Sequence, residues 1–394
     1  MNKHLETVTI KLTCLGPVHV GSGDKLTKLQ YIYDTKQRRA YFLNETAWIG
    51  LLSQKRLLSS FSDRIAAGSI SDLYRWCTDN WITPAEIERV ASGWATVAPA
   101  IERDSRLLNS ITPLMRGADG RPYIPGSSIK GALRTAILHH LLTSNTLSAI
   151  NKHAYWQQLG DLVRTRHMSD KDKLKKIEKL TAQIESDLLH RLELFDENNK
   201  KVPAKDAVTS VMKGIRVSDA FCTAPKAPPT CLLRKVDWQD APGGRDPENY
   251  IALVRECFTP GTTLTFTLTV EPALTRAIGI ASPADVLAAA RSHAAHMLNI
   301  EKAAFGQRLG SLFSRMASAN LILGGGSGFL DKTLLYSLAT VNEARALTAA
   351  LLDLRFAKHR HVQRDSRLAP RTLKLGIYNN ERYLMGVCKL EQLP

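Results

Sequence analysis

What this 394-residue chain lacks narrows its chemistry before any motif is read. No two of its six cysteines (Cys14, Cys77, Cys222, Cys231, Cys257 and Cys388) form a Cys-x-x-Cys pair, and no Cys/His set has zinc-finger spacing. They read as reduced, packed thiols of a cytosolic protein, with no metal and no cofactor implied. No run reaches the roughly 18 apolar residues that a membrane span needs. The N-terminus leads into an alternating strand and offers no apolar signal core, so a cytoplasmic chain without a membrane partner is expected. Acidic residues are in short supply. Against 53 Lys+Arg there are 37 Asp+Glu, a formal net charge of +16. Such a surplus concentrates polyanions, of which nucleic acid is the commonest, although a merely basic protein would show it too.

The pattern along the chain is that of an α+β protein. Val8–Leu15 alternates apolar and polar, a half-buried strand; Gly16-Pro17 interrupts it, Val18-His19-Val20 resumes it and Gly21-Ser22-Gly23 breaks it into a loop. A strand pair follows at Tyr31–Tyr33 and Ala40–Leu43. Residues 46–108 read as a helical insertion anchored by Trp48, Leu51, Leu52, Trp76, Trp81 and Trp94. A helix is expected over Ile129–Leu142, and a second helical insertion over 143–205. Its stretch Lys171–Leu194 mixes charge signs at helical spacing, the mark of a solvated face. Ile215–Phe221, Ile251–Cys257 and Leu264–Val270 read as strands, and Thr223–Asn249 as a hairpin-like segment. Helices are expected at 283–304, 306–320 and 331–355. Residues 1–330 would form the core, and 331–394 a C-terminal helix and basic extension.

Ile124-Pro125-Gly126-Ser127-Ser128-Ile129-Lys130-Gly131-Ala132-Leu133-Arg134 is the most informative string. Pro125 and Gly126 set a turn, and Ser127 or Ser128 is a good N-cap. The free amides and the positive end of the helix dipole then suit a phosphate. Lys130 and Arg134, four apart, share a helix face near that end. Gly131 and Ala132 keep the adjoining surface low. A well-capped helix with two exposed cations explains the same residues without a ligand. Gly21-Ser22-Gly23 and Gly324-Gly325-Gly326-Ser327-Gly328 match no Walker A or dinucleotide fingerprint, but both follow strands and could offer amides along one sheet edge. Residues 355–382 carry eight Lys/Arg against Asp365 and Glu381, a strip suited to phosphate or to a partner.

Together, Pro17–Gly23, Tyr123–Arg134, Val217-Ser218-Asp219 and Leu323–Phe329 resemble the RAMP superfamily of CRISPR proteins. The chain's length, its long helical insertion and Gly-Gly-Gly-Ser-Gly-Phe-Leu are similar to the fifth Csm subunit family of type III-A effector complexes. The resemblance implies an RRM-like (ferredoxin-like) RAMP core with helical insertions and a C-terminal extension; it leaves open whether the C-terminal half is a second, degenerate RRM-like unit. It implies a non-catalytic subunit that caps the 3′ end of the CRISPR guide RNA and supports its maturation. Target RNA, a neighbouring backbone RAMP subunit, other Csm subunits and host nucleases would be its partners. By position Thr223–Asn249 matches the hairpin that backbone relatives wedge between bases, making Arg234 and Lys235 RNA contacts.

Other readings use some of the same residues. Ser127-x-x-Lys130 has the spacing of serine acyl-enzymes, but no Ser-Asp-Asn or Lys-Thr-Gly triplet follows. A RAMP endoribonuclease would need His19 as general base or Asp24 as the loop acid. A general ribonucleoprotein scaffold would need only the charge.

Overall fold

The computed structural model describes residues 5–394 apart from 71, 103–107, 109, 145–146, 148–150, 204–205, 225–226 and 240–246. The chain opens with β1 (Glu6–Cys14) and the hairpin β2 (Tyr31–Asp34) and β3 (Arg39–Leu43). Four short helices follow: α1 (Glu45–Gln54), α2 (Leu58–Ala66), α3 (Leu73–Asp79) and α4 (Pro84–Val90). Then come β4 (Ala91–Val97), β5 (Ile111–Thr112), α5 (Gly126–Thr143), α6 (Lys152–Arg164), α7 (Asp170–Leu189) and β6 (Ile215–Val217). β7 (Thr230–Trp238), β8 (Glu248–Phe258) and β9 (Thr263–Val270) lead to the long helix α8 (Pro283–Arg315). The chain ends with β10 (Leu321–Ile322), α9 (Val341–Phe356), α10 (His361–Arg364), β11 (Leu373–Tyr378), β12 (Glu381–Leu384) and β13 (Val387–Gln392). Capping chemistry sets several of the helix starts. Thr83 and Glu86 close a capping box on α4, and Ser282 and Asp285 do so on α8, each with Pro in the first turn.

Five strands form one antiparallel sheet in the order β10-β13-β1-β9-β6. With α5 after β1 and α8 after β9, the path β1-α5-β6-β9-α8-β13 is a β-α-β-β-α-β unit of ferredoxin-like topology. The alternation in β1 and β9 is what builds it. Ile10, Leu12 and Cys14, with Leu264, Phe266 and Leu268, are buried against Ile129, Leu133 and Ile137 of α5 and Val286 and Ala290 of α8. The closing strand β13 lies between β10 and β1, so the C-terminal segment is woven into the sheet rather than appended to it.

The second sheet runs β12-β11-β7-β4-β3-β2, with β8 on the other edge of β7 and β5 beside β8. β8 and β9, successive along the chain on either side of Pro260-Gly261, thus part into different sheets at that turn. The first half of α8 covers the ferredoxin-like sheet; Met297, Ile300, Phe305, Leu312 and Phe313 of its second half pack on Trp238, Leu373 and Leu375. By length and composition this region is apolar enough to cross a membrane, yet here both cores consume its apolar face. As expected, two helical runs make it up, but they meet at a kink at Leu309, where φ/ψ is non-helical, rather than near residue 305.

Two expectations for the first insertion fail. Residues 91–97 form a strand, because β3 offers a partner from Arg39 to Leu43 and tertiary pairing overrides the helical surroundings. Trp81, expected in the core, is 87% exposed at φ 57°; Ile82 fills the core in its place, beside Trp48, Phe61 and Trp76. Trp94 is 38% exposed with the Arg39 guanidinium 4.3 Å from its ring centroid. The expected 331–355 helix begins only at Val341, after single turns at Leu330–Lys332 and Leu335–Leu338.

Candidate nucleic-acid interface

The turn before α5 is held by backbone pairing. Ile124 exchanges hydrogen bonds with Ala220 in both directions (3.0 and 2.8 Å), and Tyr123 stacks on half-exposed Phe221 at 5.2 Å. Close approach explains Gly126: a Cβ there would collide with the Val217 carbonyl. Neither serine is the N-cap. Pro125 holds that position, and the Gly126 N–H donates to the Asp219 carboxylate at 2.7 Å. An acidic side chain thus already occupies part of the positive helix end that the sequence assigned to a phosphate. Val217-Ser218-Asp219 is therefore structural support for α5, with the Ser218 hydroxyl also accepting from Thr267 N–H.

Ser127 is exposed and Ser128 half-buried at this start. Lys130 is half-buried without an acidic partner among the described residues; burial, and then Arg216 nearby, lowers its pKa. Arg134 is engaged differently, in an ion pair with Glu185 of α7 at 2.9 Å. Gly131 is exposed, and a Cβ there would meet nothing within 4 Å. A mid-helix glycine costs about 1 kcal/mol relative to alanine, and no packing demand here explains it. The low surface beside Lys130 does suit close approach of a nucleic-acid backbone.

The two glycine loops meet at His19. Gly325 N–H donates to the His19 carbonyl at 2.7 Å, and a Cβ at Gly324 would strike that oxygen. A Cβ at Gly21 would lie 2.8 Å from Nε2 of the same ring, and one at Gly325 3.0 Å from Cδ2. Gly324 and Gly326, at φ 87° and 96°, take the left-handed turn that lets Gly324–Gly328 fold back on this segment. His19 itself is 4% exposed and donates Nδ1–H to the Glu256 carbonyl at 2.6 Å. Burial, followed by the charges of Arg255 and Lys332, outweighs that bond and lowers its pKa to about 4. The ring is neutral, buried and boxed in by glycine backbone.

The cations around the loops were not legible as a site. Arg255 Nη1 is buried without a hydrogen-bond partner among the described residues and lies 3.6 Å from where a Gly326 Cβ would be. Lys332 has its pKa lowered by burial, in spite of Asp331 and helped by Arg255. Lys374 reaches Gly328 and pairs with Asp237 at 2.8 Å. Behind them lie two buried carboxyls: burial raises Asp331 to about 7, and burial, with Asp331 nearby adding to it, holds Glu301 well above the usual carboxylate range. Glu256 is fully buried in an ion pair with Arg116 and accepts from Leu114 N–H at 2.9 Å. A strand-to-glycine-loop boundary is visible in sequence; residues 255 and 332 arrive from other elements.

A relay of backbone bridges links the glycine loop to α5. Gly21 pairs with Leu114, Met115 N–H donates to Val20, Tyr123 N–H to Met115, and Ile124 pairs with Ala220. Of Arg234 and Lys235, the latter shares the Asp237 carboxylate with Lys374 of the loop cluster. They lie mid-strand in β7, Arg234 7% exposed and Lys235 3.3 Å from Asp237. β7 and β8 do form an antiparallel hairpin, and residues 240–246 of its connection lie outside the described residues. Asp24 is exposed on its loop. Among the described residues no group of three His, Cys, Asp or Glu could hold a metal ion.

The profile of the RAMP superfamily matches residues 11–272. Over 99% of its length the chain is 25% identical to a Mycobacterium tuberculosis protein named CRISPR system Cms protein Csm5, of which it covers 98%. A Streptococcus thermophilus protein of the same name is 29% identical over 160 residues, 38% of this chain and 43% of that one. A chain of the Csm–crRNA–target RNA ternary complex from a type III-A CRISPR-Cas system superposes with a TM-score of 0.58 at 18% identity, covering 98% of this chain and 100% of the other. The crystal structure of T. onnurineus Csm5 gives 0.58 at 17% identity, covering 96% and 99%. At these identities the superpositions speak for the fold.

Proposed function

The chain belongs to the RAMP superfamily, and on that premise we propose that it is a non-catalytic RNA-binding subunit of a type III-A CRISPR effector complex, seated at the 3′ end of the guide RNA. The full-length similarity to proteins named Csm5 supports the subunit assignment. The observation that carries the RNA reading is the paired surface formed by the start of α5, with Lys130 beside open Gly131, and the glycine loops meeting at His19 under Arg255 and Lys332. Amides, small residues and cations in that arrangement read sugar and phosphate by shape, not base identity.

A non-catalytic role is supported by the state of the candidate base. His19 uses Nδ1 on the Glu256 carbonyl, and glycine backbone crowds its Nε2, a Cβ at Gly21 lying only 2.8 Å from it. A proton acceptor for a ribose hydroxyl must be within hydrogen-bond reach of it. The guide RNA, the target RNA paired to it, a neighbouring backbone RAMP subunit, other Csm subunits and host nucleases are the partners this role entails.

Replacing Lys130 and Arg134 together by Ala tests the reading with labelled RNAs of unrelated sequence. Affinity should fall by a similar factor for each, and the log–log salt slope should flatten by about two at most. Loss confined to one sequence, or cleavage of the RNA by the wild-type chain with a divalent metal, would contradict backbone recognition by a non-catalytic subunit. Because the Arg134–Glu185 pair is partly exposed, little stability is at stake in this variant.

A further inference from the structure

Helix α9 ends at Phe356, and the chain then turns through Ala357–His359 into the short helix α10. We propose that this turn is a second RNA surface, separate from the α5 and glycine-loop site, and that it takes a single-stranded stretch of the RNA. The proposal rests on the RNA-binding reading above and extends it to residues outside that site.

Between Leu354 and Arg371 the chain has one acid, Asp365. It is 1% exposed and spent inward: it accepts from Arg371 Nη1 at 2.7 Å and pairs with His361 Nδ1 at 2.8 Å. Asp353, just before, accepts from the His361 and Val362 amides at 2.6 and 3.0 Å. What reaches solvent is cationic. Lys358, Arg360 and Arg364 are exposed and have no acidic partner among the described residues, while Arg355 is 3.9 Å from Glu178. The sign imbalance contrasts with α7, where Lys and Asp/Glu alternate as on an ordinary solvated face.

Charge alone would describe any solvated basic loop; the exposed rings separate this one. Phe356 is 46% exposed and Val362 59% exposed, and the His359 ring stands 6.2 Å from Phe356. Arg360 is held at φ 51°, a left-handed conformation unfavourable for a non-glycine residue. Cations interleaved with solvent-facing rings are the elements of a stacking platform with an electrostatic track. Bases offer their faces only when unpaired, so the strand that fits is single-stranded RNA and not a duplex.

The test uses the full chain and fluorescent single-stranded RNAs of roughly 40 nucleotides, titrated across a range of salt. The exposed triple variant Lys358→Ala/Arg360→Asn/Arg364→Ala keeps a residue tolerant of the left-handed turn at 360. It should bind about ten-fold or more weakly, with a salt slope flatter by about two. Phe356→Ala should weaken the single strand about five-fold without changing the slope, and leave a duplex of the same sequence untouched. In the wild-type chain, 4-thiouridine RNA should crosslink within residues 354–371, a readout that needs no variant. Wild-type affinity and slope in the triple variant, with no such crosslink, would overturn the second surface and leave it to an acidic protein partner. The RNA-binding role of the α5 site would survive that outcome, whereas a wild-type chain that ignored RNA at low salt would sink both.

Discussion

Asp219 decides what the start of α5 can offer an anion. Its carboxylate accepts the Gly126 N–H, so a phosphate approaching the helix end meets a negative charge as well as amides, Lys130 and the dipole. Asp219→Asn keeps an oxygen in place to accept that bond and removes the charge. Stability should fall by about 1 kcal/mol or less, because a neutral cap replaces a charged one. RNA affinity should rise a few-fold at low salt, read by anisotropy. A clear loss of affinity would mean that Asp219 positions the RNA-facing turn through its charge. The string Pro125 to Arg134 was legible as a helix start with two cations, but its cap was not. Asp219 is 93 residues away, beyond local capping rules, and serines at a turn satisfy those rules equally well. Likewise the pairing of Arg134 with Glu185 depends on how α7 docks, which residue spacing does not encode.

At the scale of the element, α5 carries one glycine with no packing reason for it. Gly131→Ala should raise stability by about 0.5–1 kcal/mol, since a Cβ there meets open space and the unfolded chain loses freedom. Gly131→Leu should leave the fold equally stable yet weaken RNA binding several-fold by raising the surface beside Lys130. Thermal melts paired with RNA titrations separate the two effects, and unchanged RNA affinity in the leucine variant would place the RNA elsewhere. Strands were the most legible elements where one face met the core, as in β1 and β9, whose alternation survives as alternating burial. β4 was not: its seven residues follow four helices, and it is pairing along β3, with β7 at its C-terminal end, that makes them a strand. The β2–β3 hairpin was legible despite a burial pattern without alternation, because its aromatic and β-branched residues suit strands packed on both faces.

The two sheets are held as one molecule largely by α8, whose halves serve different cores. Where it crosses α5, the ring of His139 lies 5.3 Å from His293 and 5.0 Å from His296, with Ser337 2.8 Å from His139 Nδ1 and the Tyr336 carbonyl 2.9 Å from His296 Nε2. Burial lowers His139 to about 3 and His293 to about 4, and the neighbouring imidazoles push in the same direction. The fold therefore holds both neutral, whereas the unfolded chain protonates them below its ordinary value near 6.5. Stability is fully present above that pH and falls as pH drops from about 6.5 toward 4, by roughly 1–2 kcal/mol per histidine at pH 5. Asp331 and Glu301 act with the opposite sign. Raised in the fold, they weaken it as pH climbs from their unfolded values toward about 7 for Asp331, so the wild-type profile is a difference of the two groups. His293→Leu isolates the first contribution, because Nε2 of His293 has no hydrogen-bond partner among the described residues and little polar contact is lost. Denaturant unfolding at about pH 5 and about pH 7.5 should show the variant losing roughly 1–2 kcal/mol less than wild type between the two conditions. Parallel losses in both proteins would mean that His293 is charged, or solvated, within the native helix crossing.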